Sequence, residues 1–234
     1  MKGSEKGKLT SPSIVVLMAA LDEEKGIGPT LKELRRYAGA SRFLVVDGNS
    51  SDKTVHVAKS LNADVVYQEG RGKGNAIAHA IKHINEDFDY VVLIDADYTY
   101  PAHFIPQMIG ILEKNPQVGM VCGNRFGLTF DTNKMNNMFY LGNRLLAVTH
   151  NLLNGIALND PLTGLRILRW DILKGWNPLS HGFDIEVELN HRVERKGFDI
   201  VEIPIPYRAR IGEKKLKARH GFQILRRILL ETTY

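Results

Sequence analysis

Apolar residues in the first half of the chain follow two alternating patterns. Short uninterrupted apolar runs, typical of strands buried on both faces, occur at roughly 13–19, 43–47, 64–67, 90–95 and 118–122. Apolar positions at helical spacing occur between them, at roughly 28–38, 52–60, 73–85 and 103–114. Strands and helices that alternate with short links predict an α/β fold, a mostly parallel sheet with helices on both faces.

The pattern changes after about residue 123. A polar, loop-like stretch from 124 to 136 is followed by a helix at roughly 138–153, a strand at 165–168, a helix at 183–196, a strand at 199–204 and a helix at 219–231. The last helix places Phe222, Leu225, Ile228 and Leu229 on one side and Arg226 and Arg227 on its flank. We predict a flexible N-terminus at 1–12, one domain over 13–217 and a C-terminal amphipathic helix over 218–234.

Positive charge is concentrated near the C-terminal end of the sequence. The 234 residues have a net charge of +5, but residues 208–227 carry eight lysines and arginines against Glu213 alone. This segment has a charge of +7, which leaves −2 for the remainder. A localised basic segment indicates one face that meets anions, and it argues against a nucleic-acid-binding protein, whose basic surface is broader.

The remaining composition is that of a globular protein, with 44% apolar and 24% charged residues. Cys122 is the single cysteine, so intramolecular disulfides and cysteine-based zinc sites are excluded. Its apolar neighbours predict a small buried side chain, in agreement with a reducing cytoplasmic setting. No stretch of the sequence approaches the roughly 18–20 apolar residues of a membrane span.

Two carboxylates follow the fourth predicted strand. The run from Val91 to Ile94 reads as a buried strand, and Asp95 and Asp97 come one residue apart at its end. Period-two alternation places both on one side of the chain, where they suit a hard divalent cation that already carries phosphate oxygens. The alternative is an ordinary strand end followed by a turn, which Tyr98 to Pro101 would form.

The other early strands also end in polar or glycine residues. Asp22 and Glu23 follow the first strand, Asp47 and Gly48 the second, and a glycine-rich turn at 70–76 the third. Carboxyl ends of parallel strands share one edge of a sheet, where ligands bind in this class of fold. Asp47 and Asp52 could instead shape turns and helix starts, and the glycine turn matches neither the P-loop nor the dinucleotide-binding pattern.

Taken together and in order, these segments resemble the family 2 glycosyltransferases of the GT-A fold. The early motifs are ALDEE (20–24), VVDGNSSDKT (45–54), GKGNA (72–76) and DAD (95–97). The later ones are GNR (123–125), DPLTGLR (160–166), GFDIEVE (182–188) and YRARIGEKKL (207–216). The resemblance covers nearly the whole chain and is closest to the dolichyl-phosphate hexose synthase branch. It implies a Rossmann-like, mostly parallel sheet with helices on both faces.

The resemblance implies a role for each matched residue. Asp47 would bind the nucleotide base, Glu23 would lie near the ribose, and the turn from Gly72 to Gly74 would let backbone approach the nucleotide. Asp97, supported by Asp95, would hold Mg²⁺ or Mn²⁺ on the diphosphate. The donor-binding set is Ala20, Asp22, Glu23, Asp47, Gly48, Gly72, Lys73, Asp95 and Ala96. The catalytic set adds phosphate-binding cations to Asp97, namely Arg125, Arg166, Arg210 and Lys215.

The implied activity is inverting, metal-dependent transfer of a hexose from a nucleoside-diphosphate sugar to dolichyl or polyprenyl phosphate. The acceptor phosphate is already ionised near neutral pH, so no side chain has to remove a proton from it. Such an enzyme would act peripherally at the cytoplasmic face of a membrane. There the basic loop and the last helix would contact lipid, unless that helix simply packs on the domain.

Two other functions are compatible with the same residues. One is a GT-A glycosyltransferase with a sugar hydroxyl acceptor, in which Glu186 or Glu188 would act as the base. The other is a non-catalytic module in which residues 208–227 dock on an anionic membrane. One departure from some relatives bears on the metal: Thr99 stands where they carry a metal-contacting glutamine.

Overall fold

The computed structural model describes residues 11–40, 42–127 and 138–232. Within these ranges one seven-stranded sheet has the order β3-β2-β1-β4-β6-β5-β7. Its strands are β1 Ile14–Ala20, β2 Arg42–Asp47, β3 Asp64–Tyr67, β4 Tyr90–Leu93, β5 Val118–Asn124, β6 Arg166–Arg169 and β7 Asp199–Pro204. The first four strands pair in parallel, as do β5 and β7. Strand β6 lies antiparallel between β4 and β5.

The described helices connect and cover these strands. They are α1 Ile27–Tyr37, α2 Thr54–Ser60, α3 Lys73–His83, α4 Ile105–Lys114, α5 Met138–Asn154, α6 Trp170–Leu173, α7 Ile185–Arg195 and α8 Ala218–Glu231. A short 3₁₀ turn, Ala102–Phe104, precedes α4. The predicted α/β fold and its mostly parallel sheet are confirmed. Most of the predicted loop at 124–136 and of the N-terminal segment at 1–12 lies outside the described residues.

Two apolar layers hold the helices against the sheet. Successive β1 side chains alternate between them: Val16 and Met18 pack with α1 and α4, and Val15 and Leu17 pack with α3 and α7. Leucines of α1 such as Leu31 are fully buried. Each such burial stabilises the fold by about 1.5–3 kcal/mol.

Strand β4 is shorter than predicted. It ends at Leu93, after which the Ile94 amide still donates to the carbonyl of Leu17 at 3.3 Å. The chain then leaves the sheet, so Asp95 and Asp97 lie in the turn beyond the strand rather than within it. This places both carboxylates at the edge where β1 and β2 also end.

The inward face of α8 differs from the predicted one. Ile224 and Ile228 are buried, whereas Phe222 is 77% exposed and Leu229 is 50% exposed. Arg227, which was predicted on the flank of the helix, is buried. Its guanidinium lies near the carboxylates of Asp184, Glu188 and Glu231. No helix of the described residues is long and apolar enough to cross a bilayer.

Candidate active site

The Asp97 carboxylate is buried in the turn after β4. One oxygen accepts the backbone amide of Thr99 at 3.1 Å and its hydroxyl at 2.5 Å. The other oxygen accepts a guanidinium N–H of Arg210. Arg210 also pairs with Glu23, so one guanidinium joins the ends of β1 and β4.

The Asp95 carboxylate is held from the opposite side. Lys73 Nζ, at the start of α3, lies 2.6 Å from an Asp95 oxygen and 2.6 Å from an oxygen of Glu186 on α7. Gly164 packs directly against this carboxylate, since a Cβ there would lie 2.2 Å from Asp95 Oδ2. Lys73, Glu186 and Gly164 therefore fix the position of Asp95.

These surroundings give the two aspartates different acidities. Burial opposes ionisation of Asp95, but the charge and hydrogen bond of Lys73 hold its pKa below the usual value. Burial and the neighbouring charge of Asp95 raise the pKa of Asp97. Burial likewise raises the pKa of Glu23 to about 7 against the opposing charge of Arg210. The site therefore concentrates carboxylates that gain from a nearby cation.

The basic segment lies over the turn after β4. The Arg208 amide donates to the Thr99 carbonyl at 3.0 Å, and the Ile211 amide donates to the Asp97 carbonyl at 3.2 Å. The Arg208 guanidinium binds both carboxylate oxygens of Glu33 on α1, at 2.6 and 2.8 Å. These contacts bring Arg210 to the carboxylates although the two are far apart in sequence.

A divalent cation fits the donor chemistry of this site. Asp95 and Asp97 offer hard carboxylate oxygens, which Mg²⁺ and Mn²⁺ prefer, and both are neutralised here by Lys73 and Arg210. Across the described ranges no group of three or more His, Cys, Asp or Glu side chains could enclose an ion. A cation bound here would take only part of its coordination shell from these two carboxylates, and a diphosphate ligand would suit the remainder.

Asp47 and Asp22 shape the loops that follow β1 and β2. Asp47 is fully buried and accepts the amide of Ser50 at 2.8 Å and its hydroxyl at 2.6 Å. Asp22, with a φ of 48°, accepts the amide of Ser51 at 2.7 Å. The Gly48 amide donates to the carbonyl of Ala20 at 2.8 Å. The two loops thus form one hydrogen-bonded edge beside Glu23, and the donor-binding roles of these residues stay predictions.

Asp52 has the structural role that the sequence predicted for it, at the start of a helix. Its carboxylate accepts the backbone amide of Thr54, the first residue of α2, at 2.9 Å. It also accepts the amide of Glu24 at 3.0 Å. Asp52 therefore stabilises the start of a helix and ties it to the loop after β1.

The glycine turn packs against the chain itself. Gly72 has a φ of +97°, and a Cβ on it would lie 2.4 Å from the carbonyl oxygen of His181. A Cβ on Gly74 would lie 2.2 Å from the carbonyl oxygen of Ser180. The Gly74 amide donates to the Gly182 carbonyl at 3.1 Å. The close approach of residues 180–182 is a sufficient reason for both glycines, and approach to a nucleotide stays a prediction.

Arg166 is not placed as the sequence predicted. The residue is 1% exposed, and its guanidinium donates to the carbonyls of Thr163 and Pro161 at 2.9 and 2.6 Å and to Asn190 at 2.6 Å. Its N–H groups are therefore engaged inside the protein. The expectation that Arg166 binds phosphate is wrong for this arrangement; the side chain shapes the loop before β6. A sequence signal for its interior position is that Arg166 has the apolar neighbours Leu165 and Ile167, in what becomes a central strand of the sheet.

Arg125 lies at the site, where two guanidinium N–H groups donate to the two carboxylate oxygens of Asp160 at 2.6 and 2.7 Å. Its guanidinium carbon lies 5.4 Å from the centre of the Tyr207 ring. Burial, Arg210 and Arg125 all lower the pKa of Lys214, which shows that cations crowd this edge. Lys215 acts electrostatically on Glu23 from the same segment. Sequence reasoning missed Asp160 as the partner of Arg125.

The two candidate bases of α7 are both engaged by the protein. Glu186 binds Lys73, as described above. Glu188 accepts the backbone amides of Leu179 at 2.8 Å and Ser180 at 2.6 Å. Both carboxylates are therefore tied into the structure around the glycine turn. Their proximity to Lys73 and to residues 179–180 was not predicted, since nothing local in the sequence links these segments.

Known proteins are similar to this chain in sequence and in fold. The family model for Glycosyl transferase family 2 matches residues 15–174. A dolichyl-phosphate hexose transferase of Haloferax volcanii is 32% identical over 210 residues, covering 88% of this chain and 88% of that protein. The glycosyltransferase AglJ of the same organism is 29% identical over 85% of this chain, which spans 64% of AglJ.

Solved structures give the same fold. Glucosyl-3-phosphoglycerate synthase from Mycobacterium tuberculosis, in complex with Mn²⁺, UDP and glucosyl-3-phosphoglycerate, superposes with a TM-score of 0.75 at 22% identity. The match covers 95% of this chain and 81% of that one. A complex of the same enzyme with Mg²⁺ and UDP gives 0.76 at 23% identity, over 95% of this chain and 80% of that one. With the family model matched over more than half of its length, this chain belongs to the family 2 glycosyltransferases and is a glycosyltransferase of the GT-A fold.

Proposed function

We propose that this enzyme is an inverting, metal-dependent hexosyltransferase. It moves a hexose from a nucleoside-diphosphate sugar to dolichyl or polyprenyl phosphate. The relative named dolichyl-phosphate hexose transferase supports this acceptor class, and the Mn²⁺ and Mg²⁺ complexes of the structural neighbour support a divalent metal. Residues 13–217 would form the transferase domain, with residues 218–234 as the C-terminal amphipathic helix.

The observation that carries the proposal is the convergence of cations on one pair of carboxylates. Lys73 and Arg210 contact Asp95 and Asp97 directly, and Arg125 and Arg210 act electrostatically on Asp95. A site with several cations beside a metal-binding carboxylate pair suits two phosphorylated ligands, the donor diphosphate and the acceptor phosphate.

The chemistry requires little from the protein beyond positioning. An ionised phosphate oxygen of the acceptor attacks the anomeric carbon on the side opposite the diphosphate. The bond from that carbon to the diphosphate breaks, and its electron pair leaves with the nucleoside diphosphate, which inverts the anomeric configuration. Asp95 and Asp97 would hold the metal, which would supply charge neutralisation on the leaving group. Arg210 and Arg125 would orient the phosphates, and no proton is removed from the acceptor.

The engagement of Glu186 and Glu188 favours a phosphate acceptor over a hydroxyl acceptor. A general base must reach the proton it removes, and its carboxylate must be available to accept it. Glu186 is bound to Lys73 and Glu188 to two backbone amides. Both side chains are thus explained as positioning groups for α3 and for residues 179–180.

The proposal also places the enzyme peripherally at the cytoplasmic face of a membrane, because a dolichyl or polyprenyl chain partitions into lipid. The local basic charge of residues 208–227 supports contact with anionic headgroups rather than with nucleic acid. The pair formed by Arg208 with Glu33 links this basic segment to the transferase domain.

A donor panel tests the proposal. The protein is incubated with Mg²⁺ or Mn²⁺, a short-chain polyprenyl phosphate and each of GDP-mannose, UDP-glucose and UDP-N-acetylglucosamine. We expect one donor to transfer its sugar to the lipid, detected by mass spectrometry, with loss of transfer when EDTA removes the metal. Transfer that is equally fast in EDTA, or no lipid product with any donor, would contradict the proposal.

A further inference from the structure

Glu202 of β7 holds the loop that precedes β6. One of its carboxylate oxygens accepts the backbone amide of Asp160 at 2.7 Å. The other accepts the backbone amide and the side-chain amide of Asn159 at 2.7 and 3.0 Å. Hydrogen bonds to an ionised acceptor are shorter and stronger than bonds between neutral groups. Because Glu202 itself lies in a strand that pairs with β5, it ties the backbone at 159–160 to the sheet.

The same loop is held from its other side by α5. The side-chain amide of Asn151 donates to the carbonyl of Leu158 at 2.7 Å, and its oxygen accepts the Leu158 amide at 3.2 Å. The Arg144 guanidinium lies 3.5 Å from the carbonyl oxygen of Asn159. Residues 158–160 are therefore held between a helix and a strand, and Glu202 supplies the negative charge among these contacts.

The loop carries Asp160, whose carboxylate is 1% exposed and binds Arg125. One oxygen accepts the Arg125 backbone amide at 3.0 Å and Nε at 2.7 Å, and the other accepts Nη2 at 2.6 Å. This pairing uses one edge of the guanidinium and directs the remaining nitrogen, Nη1, away from Asp160. Asp160 thus sets the direction in which Arg125 can offer N–H groups to a phosphate.

The position of Arg125 matters because it lies beside the carboxylates of the site. Its charge acts on Asp95, and its guanidinium lies over the ring of Tyr207 from the basic segment. A displacement of about 1 Å in a group that orients a substrate can cost about 10²-fold in rate. A shift of the loop at 159–160 would move Asp160 and with it the guanidinium.

We propose that Glu202 is a positioning residue for the transfer reaction. It fixes the backbone at 159–160, this backbone fixes the carboxylate of Asp160, and the carboxylate orients Arg125 towards a substrate phosphate. The inference rests on the proposed function in giving Arg125 a phosphate to bind. It adds a residue of β7 that acts on the reaction through two others.

Steady-state kinetics test this role in Arg125→Ala, Glu202→Ala and the combined variant. Arg125→Ala should raise the KM of the substrate whose phosphate it binds. Glu202→Ala should raise the KM of that same substrate by about tenfold, with a smaller fall in kcat. A variant that merely lost stability would lower the amount of active enzyme and leave the KM of both substrates unchanged. That result would overturn the proposal.

The combined variant separates action through Arg125 from an independent effect. Once Arg125 is replaced, no guanidinium remains for Glu202 to orient, so adding Glu202→Ala should change kcat/KM by less than about twofold. A combined loss equal to the product of the two single losses would contradict the proposal. Asp199→Ala removes an exposed carboxylate from the other end of β7 as the matched control. It should leave the KM of both substrates unchanged.

Hydrogen exchange measures the anchoring without donor, metal or acceptor. In Glu202→Ala the amides of Asn159 and Asp160 lose their acceptor, so we expect them to exchange at least about tenfold faster. Asp199→Ala should exchange like the unmodified protein. Unchanged exchange at 159–160 in Glu202→Ala would overturn the proposal. If this variant does not fold, Glu202→Gln keeps one acceptor oxygen and should show smaller changes in the same amides and in the same KM.

The identity of the acceptor is decided separately. Transfer to a sugar hydroxyl and not to polyprenyl phosphate would refute the proposed function. The same set of variants, measured with that acceptor, would still decide the role of Glu202. Transfer to polyprenyl phosphate with independent effects of the two substitutions would refute the positioning role alone.

Discussion

Lys73 and Arg210 each neutralise one member of the Asp95–Asp97 pair, and they are anchored in different ways. Lys73 is fixed at the start of α3 by a second carboxylate, Glu186, and its pKa is raised by both partners despite burial. Arg210 comes from the segment over the β4 turn and shares its guanidinium with Glu23. Asp95 is thus bound by the domain core, whereas the partner of Asp97 belongs to a connecting segment.

Asp97→Ala tests the metal-binding role at this scale. We expect hexosyl transfer to fall at least about 10²–10³-fold, because a charge stabilising the leaving diphosphate is lost. Metal-dependent binding of the donor, measured by calorimetry, should be lost as well. Asp171→Ala removes an exposed carboxylate of α6 as a control and should leave transfer unchanged. Unchanged turnover of Asp97→Ala would rule out the metal assignment.

Glu186→Gln separates a positioning role from a catalytic base. Glutamine keeps an oxygen near Lys73 but removes the charge, so we expect turnover with a lipid phosphate to stay within about tenfold of the unmodified enzyme. Loss of a general base would cost about 10²–10⁴-fold. The profile of kcat against pH should keep its shape. A loss in the larger range, with an altered profile, would favour the hydroxyl-acceptor alternative.

At the scale of elements, the glycine turn and α7 are joined by backbone contact. The turn at Gly72 and Gly74 lies against residues 180–182, and Glu188 of α7 accepts two amides from residues 179–180. The turn therefore fixes where α3 begins, and with it the position of Lys73.

Gly74→Ala should destabilise the protein because the new methyl would lie 2.2 Å from a backbone oxygen. Such overpacking costs about 1–3 kcal/mol. Gly110→Ala in α4 is the matched control, since a Cβ added there would have nothing within 4 Å. Alanine there should stabilise the helix by about 0.5–1 kcal/mol. Urea unfolding measures both, and equal effects of the two substitutions would contradict the packing described.

The elements were largely predictable, whereas several side-chain partners were not. Local apolar spacing predicted the strands and the longer helices within a few residues. A strand or helix that is buried on one or both faces carries apolar residues at a characteristic spacing, which is visible in the sequence. The antiparallel insertion of β6 between β4 and β5 has no local signature. Consequently the interior place of Arg166 and the pairing of Asp160 with Arg125 were missed.

At the scale of the whole molecule, the basic residues of 208–227 fall into two groups, those that form ion pairs within the protein and those that are exposed. Arg208 and Arg210 bind carboxylates of α1 and of the site, and Arg227 lies buried near Asp184, Glu188 and Glu231. Part of the positive charge of residues 208–227 therefore holds this segment to the domain through ion pairs, and the rest lies on the surface. The sequence predicted the amount of charge but not this division, which depends on contacts between distant segments.

His191 of α7, whose ring lies beside that of His150 on α5, should make a contribution to stability that is lost in mild acid. Burial, the neighbouring His150 and Arg195 lower the pKa of His191 to about 4. Glu194, at 3.7 Å, is the facing carboxylate. The unfolded chain binds a proton near pH 6.5 that the folded protein excludes until about pH 4. The contribution of His191 to stability is therefore full above about pH 6.5 and declines below it, by about 2–3 kcal/mol at pH 4.

Urea unfolding of the unmodified protein and of His191→Leu, followed from pH 7.5 to 4.5, measures this effect. The difference in unfolding free energy between the two proteins should shift in favour of the variant as the pH falls, whatever other carboxylates contribute to both. A difference that is constant across this range would show that His191 does not titrate as its surroundings require.

The most direct test of the central claim compares two acceptors that differ only in the phosphate. A short-chain polyprenyl phosphate and the corresponding polyprenol are mixed with the protein, metal and the productive nucleotide sugar, and sugar on each lipid is measured by mass spectrometry. We predict that sugar appears on the phosphate and not on the alcohol, because the site supplies cations for a phosphate and the two candidate bases, Glu186 and Glu188, are engaged by the protein. Equal transfer to the alcohol would contradict the account.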